Sequence, residues 1–114
     1  GRADELAESA EDGLVVALID GIDRDGLRQL AMAVRDRDGV RAVVLGAAPE
    51  GGGAALVAAV ATGSGLDAGA LVAEAARTIG GGGRPNPEVT AVGGKAPERL
   101  AEALEQARAA AQAG

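Results

Sequence analysis

The chain has 114 residues, a formal net charge of −6 and no Cys, His, Phe, Tyr or Trp. This length suits one domain with one core. The missing Cys and His exclude disulfides, thiolate metal sites, most zinc chemistry and every Ser-His or Cys-His nucleophile. Without aromatic rings the core has to be built from Ala, Val, Leu and Ile, and stacking of single-stranded bases is unavailable.

Asp and Glu are scattered singly or along helix faces, so no carboxylate metal site, no catalytic residue and no cofactor is expected. The longest uncharged run, Gly51 to Leu66, spans 16 residues with five glycines and is too short to cross a bilayer. Arg2, Asp4, Glu5 and Glu8 break up the first residues, so no signal peptide is read there. A soluble cytoplasmic domain without a membrane partner is the expectation.

In chain order, "ADELAESAED" is helix-forming and closes at Gly13; residues 1–12 read as a helical arm or the tail of a longer helix, and 13–114 as the globular domain. "LVVALI", Leu14 to Ile19, is a continuous apolar run suited to a strand buried on both faces. Asp23 caps a helix to about Arg37, with Leu27, Leu30, Ala31 and Val34 on one stripe. Met32 is expected to fill a gap in the core. Arg24, Arg28, Arg35 and Arg37 stand among Asp23, Asp25, Asp36 and Asp38, a pattern read as mutual neutralisation on a solvated face.

"RAVVLGAA" and "AALVAAVA" flank Pro49-Glu50-Gly51-Gly52-Gly53 and read as an antiparallel hairpin. Asp67 caps a further helix with Leu71, Ala75, Thr78 and Ile79 on one face, closed by Gly80. Glu88 to Val92 suits a short strand. Pro97 opens a last helix whose buried stripe is Leu100, Ala103, Leu104, Ala107 and Ala111. The expected fold is α/β: a single small domain with a mixed sheet and helices packed on it, in the order βαββα(β)α.

Gly80, Gly81, Gly82 and Gly83 run together into Arg84, and Gly93-Gly94 ends in Lys95. A helix cap needs only one glycine, and each costs about 0.5–1 kcal/mol more than alanine to order. Such a tract is either slack or brings bare peptide groups close to something. Consecutive exposed amides can form an anion nest, with arginine adding a fork that matches phosphate. Residues 77–99 carry Arg77, Arg84, Lys95 and Arg99 against Glu88 and Glu98, net +2, on a chain otherwise acidic. Nucleotide hydrolysis is not supported: Val89 stands where a P-loop needs glycine, and Ala96 where it needs Ser or Thr.

"GLDAGALVAEAARTIGGGGRPNPEVTAVGGKAPERLAEALEQA" resembles the C-terminal module of alanyl-tRNA synthetases, in the DHHA1 domain family. The shared marks are the glycine run with Arg-Pro, the Gly-Gly-Lys and a Leu-rich terminal helix. "ALIDGIDRDGLRQLAMAVRDR" and the hairpin after it resemble the earlier part, so the likeness covers about residues 13 to 110. The resemblance implies a non-catalytic module that grips the outer corner of tRNA, alanine tRNA in that family, within a parent that is an alanine-tRNA ligase. It places RNA contacts at Gly80, Gly81, Gly82, Gly83, Arg84, Gly93, Gly94 and Lys95. It also implies dimerisation through a helical region upstream. Two alternatives are a substrate-binding domain of a DHH-type phosphoesterase and a ligand-free structural or dimerisation module. Related phosphoesterases carry histidine after the glycines, and Arg84 stands there here.

Overall fold

Apolar residues at period two put one set of side chains on each side of a sheet, and both sets here are covered by helices. The computed structural model describes residues 1–114. Its elements are α1 (Arg2–Glu8), β1 (Leu14–Leu18), α2 (Arg24–Arg35), β2 (Ala42–Ala47), β3 (Ala54–Val60), α3 (Ala68–Leu71), α4 (Ala73–Thr78), β4 (Val89–Gly94), a 3₁₀ turn (Pro97–Arg99) and α5 (Leu100–Ala113). The strands lie in the order β1-β2-β3-β4. β1 runs parallel to β2, with Leu14 opposite Ala42, because α2 carries the chain back between them. The hairpin sets Ala42 opposite Val60, and β4 adds antiparallel to β3 with Ala54 opposite Gly94.

On one face Leu14, Val44, Leu56, Ala58 and Val92 join α3, α4 and α5 in a cluster of 19 buried residues. On the other, Val15, Val43, Leu45, Val57 and Ala59 pack on Leu27, Ala31 and Val34 of α2 in a cluster of 12. The second cluster is smaller because one helix covers less of the sheet than three. The α/β mixed sheet with packed helices is therefore as expected, and so are the hairpin, the fourth strand and the stripe of α5.

Four local readings are corrected. β1 is an edge strand, so Leu18 is 53% exposed instead of buried. The helix capped by Asp67 is broken at Val72 (φ −110°, ψ 9°) into α3 and α4. Met32 is half-buried and belongs to neither apolar cluster. The charges of α2 do not all neutralise one another. Arg35 pairs with Asp36 and Arg37 with Asp4 of α1, whereas Arg24 and Arg28 have no carboxylate within 4.0 Å. Asp23 instead accepts the Gly26 amide at 2.7 Å, and Asp25 accepts from Gln29 Nε2 at 2.8 Å.

Candidate nucleic-acid interface

The glycine tract begins as a helix cap and continues as a partner for β4. Gly80 takes φ +71°, and its N–H donates to the Arg77 carbonyl at 3.0 Å. Gly81 N–H donates to the Ala76 carbonyl at 3.0 Å, so the two close the last turn of α4 together. Gly82 then forms an antiparallel bridge with Gly93, donating at 3.1 Å and accepting at 3.4 Å. Three of the four glycine amides are thus used internally, which corrects the reading of the whole run as an open nest. Between Gly80 and Arg84, only Gly83 and Arg84 have an N–H that makes no hydrogen bond within the chain.

Bare backbone is needed here because strands meet without room for a side chain. A β-carbon on Gly81 would overlap the Gly93 carbonyl, and one on Gly83 would overlap the Ala91 carbonyl. The loop that follows is also pinned. Pro85 sits against Gly69, the Pro87 carbonyl accepts from Ala68 N at 2.8 Å, and the Glu88 carbonyl accepts from Val60 N at 3.0 Å. Asn86 Oδ1 accepts from Glu88 N and Val89 N, while Thr90 Oγ1 accepts from Asn86 N and donates to the Asn86 carbonyl. This closed turn sets the path from Arg84 into β4, so the tract is not slack.

The Lys95 and Ala96 amides both donate to the Ile79 carbonyl, at 2.8 and 2.9 Å, which fixes Lys95 beside Gly80. A β-carbon on Gly80 would lie 3.9 Å from Lys95 Cβ, an ordinary contact. The expected site residues Gly80–Gly83, Gly93, Gly94 and Lys95 are therefore brought together. Arg84 leaves the tract at its exposed end. Arg84 and Lys95 are both exposed and have no carboxylate within 4.0 Å.

Arg77, one turn before the glycines, is a cation the site prediction passed over. It is exposed, has no ion-pair partner, and borders a cleft of about 270 Å³ with Gly82, Gly83, Pro85 and Thr90. Its signal in the sequence was its place in the last turn ahead of the tract, within the cationic segment. Arg99, in the same segment, is tied to Glu102 at 2.8 Å and contributes little free charge. No group of three His, Cys, Asp or Glu side chains is placed to hold a metal ion, and no helix is long and apolar enough to cross a membrane. What the arrangement offers is two free amides, three unpaired cations and a cleft, all on or next to the glycine tract. That is chemistry for holding an anionic backbone.

Comparison with known proteins gives the family and the fold. The DHHA1 domain family matches residues 11–113. An alanine–tRNA ligase of Streptomyces avermitilis is 39% identical over 110 residues, 88% of this chain and 12% of that protein. The alanine–tRNA ligase of Desulforamulus reducens is 52% identical over 44 residues, 39% of this chain. The chain spans about 5–12% of the length of these curated relatives. Among solved structures, the C-Ala domain of Aquifex aeolicus alanyl-tRNA synthetase superposes with a TM-score of 0.74 at 23% identity, covering 85% of this chain and 88% of that one. The chain belongs to the DHHA1 domain family.

Proposed function

We propose that this domain is a non-catalytic tRNA-binding module of the alanyl-tRNA synthetase type. It holds the outer corner of alanine tRNA in the cytoplasm, through Gly80–Gly83, Arg84, Gly93, Gly94 and Lys95. The observation that supports the reading is the Gly82–Gly93 bridge, which seats the tract on β4 with Lys95 beside Gly80 at one end and the free Gly83 and Arg84 amides at the other. Likeness to alanine–tRNA ligases over most of the chain supports a tRNA partner. A protein without aromatic rings suits folded RNA, which is read by shape, phosphates and 2′-hydroxyls.

The test is a titration of this chain with alanine tRNA at several salt concentrations. Replacing Arg84 and Lys95 by alanine should weaken binding and lower the log–log salt slope by about one to two units. Unchanged affinity and slope would overturn these contacts. Amide exchange should also slow across residues 80–95 when tRNA is added, and no protection there would favour a ligand-free structural role.

A further inference from the structure

Arg24 lies on the other face of the sheet from α4 and α5, yet it meets the same residue as the glycine tract. A β-carbon on Gly93 would stand 2.6 Å from Arg24 Nη1, and one on Gly53 would stand 3.2 Å from Nη2. The guanidinium therefore rests on bare backbone at two glycines, one in β4 and one in the hairpin loop. Neither adjoining acid pairs with it: Asp23 accepts from the Gly26 amide and Asp25 from Gln29 Nε2. Arg24 is exposed, with no carboxylate within 4.0 Å and no hydrogen bond in the chain. All five of its donors are open.

Beside it is a cleft of about 190 Å³ floored by Ala55, Val57 and Ala91. It exists because α2 packs over β2 and β3 and stops short of β4, which leaves Ala91 exposed. Gly93 thus carries Arg24 on one face and Gly82 at its edge, with the tract about one strand spacing, ~5 Å, away.

We infer that Arg24 is a second phosphate contact for the RNA proposed above, so that one RNA backbone is held by Arg24 over Gly93 and by Lys95 and Arg84 at the two ends of the glycine tract. Charge selects this occupant: Arg24 and the tract cations have no carboxylate within 4.0 Å, whereas the rest of residues 1–76 carries thirteen acidic against five basic groups and repels a polyanion. The fork shape of a guanidinium suits phosphate where an ammonium supplies only a point charge. The inference also gives Gly93 a reason of its own, since any side chain there would displace the guanidinium.

This inference rests on the tRNA-binding reading, and the same salt titration separates the two. With alanine tRNA as the probe, Arg24→Ala should weaken binding about five- to tenfold and lower the slope by about one unit. Arg24→Lys should keep the slope and recover only part of the affinity. The Arg24 Nε–Hε resonance should shift when RNA is added. If the unaltered chain fails to bind, both readings fall. If Arg84→Ala/Lys95→Ala weakens binding while Arg24→Ala leaves affinity, slope and resonance unchanged, the Arg24 contact alone is overturned.

Discussion

Gly81 rests so closely on Gly93 that a methyl group added to Gly81 would overlap the Gly93 carbonyl oxygen. The bridge between neighbouring Gly82 and Gly93 depends on that approach. Gly82 itself has open space where a β-carbon would go. Gly81→Ala should therefore push the tract from β4 and cost about 1–3 kcal/mol. Gly82→Ala should cost under about 1 kcal/mol. Urea denaturation of the two variants checks the contrast, and equal losses would mean that the tract is not seated on β4.

Leu56 of β3 is fully buried on the face of the sheet that α3, α4 and α5 cover, in a core without aromatic side chains. Its cross-strand partners are Gly46 and Val92, which are too short to close a gap. Leu56→Ala should lower stability by about 2–5 kcal/mol, read from the midpoint of chemical denaturation at unchanged slope.

Asn86 and Thr90 should act together. Removing the Asn86 side chain frees the Glu88 and Val89 amides and loosens the turn that delivers the chain into β4. Asn86→Ala should cost about 1 kcal/mol and speed amide exchange at Glu88 and Val89. Unchanged exchange there would show that the Asn86 side chain does not hold the turn.

Asp4 accepts a hydrogen bond from Arg37 Nε, which ties α1 to α2. The bond, and then the charge of the guanidinium, hold the Asp4 carboxyl below its ordinary range. A carboxyl lowered on folding adds stability that is present above the unfolded value, about 3.9, and is lost as pH falls through the folded value. The pair is exposed, so the effect on stability is small. Arg37→Gln should raise the Asp4 titration midpoint toward the ordinary range, as followed by carboxyl NMR. An unmoved midpoint would refute the coupling.

Patterns confined to a few neighbouring residues were legible without coordinates. Asp23 and Asp67 each take the amide three residues on, as their place before an apolar stripe demands. The stripe of α5 and the hairpin follow from periods of 3.6 and two, which depend only on backbone geometry. The glycine run was visible as something other than an ordinary connection. Its partner was not, because the contact with β4 joins segments brought together only when the sheet forms. For the same reason β1 as an edge strand, the free fork of Arg24 over Gly93 and the use of three glycine amides inside the fold are decided by the tertiary structure. Charge counts along the chain could place cations near the tract, but only packing settles which carboxylates reach them, and hence which cations stay unpaired.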